Sequence, residues 1–123
     1  MNTAIIGMGS NLGDRLDNLN RAVKALGLLP RTKVTQASYL YETQPVGYLE
    51  QGPFLNANLM VETDLSPMAL LGGCLGIEAA FGRERTVKNG PRILDLDLLL
   101  YEGMRSDSFE LTLPHPRILE RAF

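Results

Sequence analysis

Apolar residues recur along this chain in two rhythms, one helical and one alternating, and together they outline a fold. Thr3 to Met8 is a short apolar run that predicts a buried first strand, and Gly9-Ser10-Asn11-Leu12-Gly13-Asp14 reads as a loop after it. Leu16, Leu19, Val23 and Leu26 then return at helical spacing, with Asp14 as the N-cap and Gly27 and Pro30 as stop signals. Val34 to Thr43 is rich in Val, Thr and Tyr and predicts a second strand. Gln44 to Pro53 is a loop by its glycines and prolines, too long for a minimal hairpin turn. Leu55 to Thr63 alternates, with Leu55, Ala57, Leu59 and Val61 on a core face and Asn56, Asn58, Met60 and Glu62 on the other.

Ser66-Pro67 supplies an N-cap and a first-turn proline for a second helix, whose stripe is Leu70, Leu71, Cys74, Ile77 and Phe81 and which ends near Gly82. A polar loop, Arg83 to Arg92, carries several cations and runs into Leu94 to Tyr101. As a strand, that last run places Leu94, Leu96, Leu98 and Leu100 on one face and Asp95, Asp97, Leu99 and Tyr101 on the other. Further on, Glu102 to Ser106 suggests a turn, Phe109 to Leu113 a short strand, and Pro114-His115-Pro116-Arg117 a rigid turn. The order strand, helix, strand, strand, helix, strand predicts an α+β ferredoxin-like sandwich (βαββαβ). Its antiparallel sheet carries both helices on one face, and an extra hairpin lies near the C-terminus.

Composition narrows the class without changing the outline. The 123 residues predict one domain over 1–123 that buries a core without staples, and 45% apolar with 21% charged residues is ordinary for a globular chain. A net charge of −2 makes no electrostatic case for nucleic acid or a membrane surface, and disfavours a Mg²⁺-dependent nuclease. Cys74 is the single cysteine and reads as a buried structural thiol. With no secretory signal or long apolar span, a cytoplasmic location is expected. The glycines at 7, 9 and 13 miss a dinucleotide fingerprint because position 12 is leucine, and no P-loop occurs.

The chemistry concentrates in Asp95 and Asp97. Two carboxylates on one strand face repel, and a divalent cation resolves the conflict. Hard oxygen donors without thiol or several imidazoles suit Mg²⁺, which is commonly held by one or two carboxylates plus substrate phosphates. The neighbouring cations Arg83, Arg85, Lys88 and Arg92 are what a polyphosphate needs. His115, pinned between prolines near Arg117 and Arg121, reads as a phosphate or nucleotide contact more than as a base. Phosphoryl or pyrophosphoryl transfer is the reaction class these residues predict.

Gly90-Pro91-Arg92-Ile93-Leu94-Asp95-Leu96-Asp97-Leu98-Leu99 resembles the signature of the 6-hydroxymethyl-7,8-dihydropterin pyrophosphokinases of folate biosynthesis. Gly9 to Gly13, Tyr41 to Gly47, Phe54 to Ala57, Gly82 to Arg85, Pro114 to Arg117 and Arg121-Ala122-Phe123 resemble further motifs of that family, in order and over essentially the whole chain. The resemblance implies transfer of pyrophosphate from MgATP to the pterin hydroxymethyl group, with release of AMP. Carried onto this sequence, it implies two Mg²⁺ ions on Asp95 and Asp97, with Arg83 and Arg92 stabilising charge during transfer. ATP would be bound by Glu78, Arg83, Arg85, Lys88, Arg92, His115 and Arg121. The pterin would stack between Phe54 and Phe123 and be read by Asn56 and by the backbone of Thr43 and Val46. ATP and the reduced pterin are the expected partners of a monomer. The family usually continues past the position of Phe123, so two variants of the reading are carried forward: an active enzyme, and an impaired or shortened relative that binds nucleotide or pterin or assembles with another chain.

Overall fold

The computed structural model describes residues 1–44, 52–82 and 93–103, together with the backbone of 106–107 and 112–113. Its elements run β1 (Asn2–Ser10), α1 (Arg15–Gly27), β2 (Thr32–Ala37), β3 (Tyr41–Thr43), β4 (Phe54–Thr63), α2 (Pro67–Ala80), β5 (Asp95–Tyr101), β6 (Ser106–Asp107) and β7 (Thr112–Leu113). A five-stranded antiparallel sheet has the order β2-β4-β1-β5, with β3 also paired to β4. β6 and β7 form a separate antiparallel pair whose β7 backbone lies close to β5.

Both helices cover one face of the sheet. Leu19, Ala22 and Leu26 of α1 and Leu70, Cys74 and Ile77 of α2 share a buried cluster with Ala4, Ile6, Met8, Ala57, Leu59, Val61, Leu94, Leu96 and Leu98. Asp14 caps α1 by accepting from the Asp17 amide at 3.0 Å, and Ser66 caps α2 by accepting from the Ala69 amide at 3.1 Å. Each side-chain oxygen satisfies an amide that the helix leaves unpaired. Leu16 departs from its expected place in the stripe and is 49% exposed. Asn18 turns inward instead, because its Nδ2 donates to Ser10 Oγ at 3.1 Å and to the Leu12 carbonyl at 2.9 Å.

Three expectations are corrected. First, Gly9 and Ser10 are not loop: β1 continues to Ser10, since pairing with β4 and β5 on both sides outweighs the weak strand preference of glycine. Second, the run from Val34 to Thr43 is two strands. The register shifts between Val34 and Gln36, and beyond Ala37 the Ser38 hydroxyl accepts from the Asn58 amide at 2.8 Å, so β3 begins afresh at Tyr41. Third, the alternation of β5 breaks at a bulge. Ile6 pairs with Leu98 but Ile5 pairs with Leu100, leaving Leu99 as the extra residue. The side-chain faces therefore exchange, and Tyr101 joins the helix-side core in place of Leu100. Its hydroxyl donates to the Leu65 carbonyl at 2.6 Å and accepts from Asn2 Nδ2 at 3.2 Å.

Candidate functional site

The face of the sheet away from the helices carries three matching pairs of residues. Gly7 and Gly9 on β1, Asn56 and Asn58 on β4, and Asp95 and Asp97 on β5 are each separated by one core residue: Met8, Ala57 and Leu96. Register then aligns them in two rows across the sheet. One row is Asp95, Gly9, Asn56 and Tyr41; the other is Asp97, Gly7 and Asn58. Glycines in the middle strand leave a trough floored by backbone, with half-buried carboxylates on one side and amides on the other. Two strand spacings, about 10 Å, separate the walls. That width suits a small flat ligand lying beside a cation.

Gly9 is sterically required by this arrangement. A Cβ there would lie 2.9 Å from Asn56 Oδ1 and 3.4 Å from Phe54 Cδ1, so both side chains reach over the glycine. The Asn56 amide is oriented by its surroundings. Its Nδ2 donates to Thr43 Oγ1 at 2.9 Å and approaches the carbonyls of Phe54 at 3.2 Å and Tyr41 at 3.3 Å. Carbonyl oxygens can only accept, so the NH₂ end must face them and Oδ1 must face Gly9. Asn56 therefore presents an acceptor on the trough side. Asn58 donates through Nδ2 to the Tyr41 hydroxyl at 3.1 Å, while its Oδ1 is buried without a hydrogen-bond partner among the described residues.

The ends of the trough are tied to the β1–α1 connection. Asn11 Nδ2 donates to the Gly52 carbonyl at 3.3 Å, and Arg15 Nη1 donates to the Pro53 carbonyl at 3.0 Å. Arg15 Nη2 also lies 3.6 Å from Glu42 Oε1. These contacts hold the segment that delivers Phe54. Behind β5, Glu78 is 2% exposed and its Oε2 accepts from the Leu96 amide at 2.7 Å. Cys74, one helical turn earlier, is fully buried; burial first, then the negative charges of Glu78 and Asp97, push its thiol up to about 12.

Of the residues predicted from sequence, Asp95, Asp97, Asn56, Phe54 and Thr43 are brought to this one face. Glu78, expected on the nucleotide side, has its carboxylate on the Leu96 amide inside the protein. Val46, Arg83, Arg85, Lys88, Arg92, His115, Arg121 and Phe123 lie outside the described residues. Sequence reasoning missed Gly7 and Gly9 as a floor and Asn58 as a wall. The available signal was the repeated i, i+2 spacing of glycine, asparagine and aspartate in three strands. Among the described residues no cluster of three or more His, Cys, Asp or Glu could enclose a metal. A carboxylate pair beside an open trough instead fits a cation that shares its coordination with a ligand, as Mg²⁺ does with phosphates.

Fold and site together describe an α+β protein with a paired-carboxylate trough whose chemistry suits a small ligand and a hard cation. The family profile described as 7,8-dihydro-6-hydroxymethylpterin-pyrophosphokinase (HPPK) matches residues 5–123. A 2-amino-4-hydroxy-6-hydroxymethyldihydropteridine pyrophosphokinase of Methylorubrum extorquens is 45% identical over 123 residues, covering 100% of this chain and 78% of that protein. The Bacillus subtilis protein of the same name is 44% identical over 122 residues, covering 99% of this chain and 73% of its own. The Schizosaccharomyces pombe folic acid synthesis protein is 41% identical over 120 residues, 98% of this chain and 16% of that longer protein. The chain belongs to the 7,8-dihydro-6-hydroxymethylpterin-pyrophosphokinase family.

Proposed function

We propose that the trough is where this protein transfers pyrophosphate from ATP to the hydroxymethyl group of 6-hydroxymethyl-7,8-dihydropterin, a step of folate biosynthesis. The observation that carries the site is the register alignment of Asp95 and Asp97 with Asn56 across a glycine floor. In the reaction the hydroxymethyl oxygen forms a bond to the β-phosphorus, the bond from that phosphorus to the oxygen bridging toward the α-phosphorus breaks, AMP leaves, and the hydroxyl proton is lost. Catalysis of this kind comes mainly from positioning and charge stabilisation.

Each described residue has a part in that positioning. The Asn56 acceptor faces the trough and reads an N–H of the ring, while Phe54 offers an aromatic surface for offset stacking. Thr43 fixes the Asn56 amide and so the direction of its acceptor. Asp95 and Asp97 hold Mg²⁺, two ions in this reading, which when bound offset the charge of the triphosphate. Arg83, Arg85, Lys88, Arg92, His115 and Arg121 bind the nucleotide, with Arg83 and Arg92 acting on the charge that develops in transfer. Phe123 and the Val46 backbone complete the pterin site. The strand order supports a ferredoxin-like sandwich, and the β6–β7 pairing supports a C-terminal hairpin on a single domain over 1–123. We read the protein as a cytoplasmic monomer; among the described residues no helix is long and apolar enough to cross a membrane. The comparisons lend no support to an impaired relative.

The test is AMP release from MgATP on addition of the reduced pterin. Pterin-dependent AMP is the expected result, and its absence at high protein concentration rejects the proposal. Asp97→Ala should lower turnover by about a hundred- to a thousandfold, the scale of losing a main electrostatic element of a site, with far-UV circular dichroism unchanged. Retained turnover in that variant would remove Asp97 from the metal site.

A further inference from the structure

A buried carboxylate in the last turn of a helix is held against two costs. Burial penalises its charge, and the negative end of the helix dipole disfavours it. Glu78 sits in the last turn of α2 and is 2% exposed, so its place there calls for a specific partner. What Glu78 does is specific. Its Oε2 lies 2.7 Å from the amide of Leu96, the residue between the two aspartates. Among the described strands β5 ends the sheet order β2-β4-β1-β5, so alternate amides of β5 point away from β1. The Leu96 amide is one of these, and α2 packs against β5 where it emerges.

We infer that Glu78 is a positioning residue, a buried latch on the Leu96 amide that sets the direction in which Asp95 and Asp97 leave the strand. Pinning the backbone midway between them limits rotation of both flanking peptide units, and so limits how far the carboxylates can drift apart. Among the described strands β1 pairs with β5 on one side, and the Glu78 contact adds a restraint on the other. The inference rests on the reading of Asp95 and Asp97 as cation ligands. It gives Glu78 a role exerted through the backbone of β5.

Two conservative variants separate a latch from a simple source of negative charge. Glu78→Gln keeps the reach and an acceptor oxygen but removes the charge; Glu78→Asp keeps the charge but shortens the reach by one methylene. The measurement is the Mg²⁺ concentration needed for half-maximal binding of a non-hydrolysable ATP analogue, by calorimetry, with hydrogen exchange at the Leu96 amide as a second readout. Glu78→Gln should stay close to wild type in both. Glu78→Asp should need at least about tenfold more Mg²⁺, the scale on which outer-sphere partners of metal ligands act, and should exchange Leu96 faster. The opposite ranking, or equal behaviour of the two variants, overturns the latch. If the wild-type protein shows no Mg²⁺-dependent analogue binding, the proposed function fails instead. The latch is then decided by Leu96 exchange alone, and unchanged exchange in Glu78→Asp overturns it.

Discussion

At the scale of single residues, small changes in the trough should have large and distinct effects. Gly9→Ala places a methyl group 2.9 Å from Asn56 Oδ1, an atom whose side chain is held by Thr43 and flanking carbonyls and has little room to retreat. The expected result is a loss of about 1–3 kcal/mol in stability from overpacking. Pterin KM should rise more than the apparent ATP affinity falls, because the displaced atom belongs to the wall proposed to read the ring; steady-state kinetics with each substrate varied checks this. Cys74 makes a different prediction. Its thiol is raised from an ordinary 9.0 to about 12, so the folded state holds the proton more tightly than the unfolded chain. That contribution to stability is fully present below pH 9 and is lost as pH rises toward 12. Cys74→Ala should therefore lose less stability than wild type between pH 9 and 12, measured by urea unfolding. In the native wild-type protein at neutral pH the thiol should resist alkylation.

At the scale of elements, the bulge in β5 decides which residues meet the helices. Leu94, Leu96 and Leu98 face the core as strict alternation predicts, and the same alternation correctly puts Asp95 and Asp97 on the opposite face. Beyond Leu98 the pattern is misleading, because leucines occupy positions 98, 99 and 100 and each could serve as a core residue. Tyr101 resolves the ambiguity: its ring enters the core while its hydroxyl reaches the Leu65 carbonyl, a geometry available only if one residue is inserted. Tyr101→Phe should cost about 1 kcal/mol, the net worth of one such hydrogen bond, seen as a lower midpoint in denaturant. Turnover should stay near wild type, since the bulge lies beyond the aspartates. The helix caps were readable directly, because Asp14 and Ser66 act on amides within three residues of themselves. The Glu78–Leu96 contact was not, for it joins residues 18 apart whose meeting depends on how α2 packs against β5.

At the scale of the whole molecule, the apolar core and the proposed site lie on opposite faces of one sheet. The helix-side face holds the apolar cluster, and the other face holds the trough. Removing Mg²⁺ with a chelator should therefore abolish pterin-dependent AMP release while shifting the thermal midpoint little in the absence of nucleotide. A thermal scan with and without chelator, run beside the activity assay, checks both halves. A large fall in midpoint would mean that the cation supports the fold.

Local patterning was enough to establish the succession of strands and helices through β5 apart from the break between β2 and β3, the caps, the leucine anchor of β5 and the shared face of Asp95 and Asp97. Each of these follows from side-chain period or from contacts within a few residues. Tertiary structure alone decided that Gly7 and Gly9 form a floor, that Asn56 points its acceptor across that floor, that Leu99 is a bulge, and that Glu78 grips the strand between the aspartates. All four depend on cross-strand register or helix packing, in which residues distant in sequence are brought within a few ångströms, and no periodicity along one segment encodes its alignment with another.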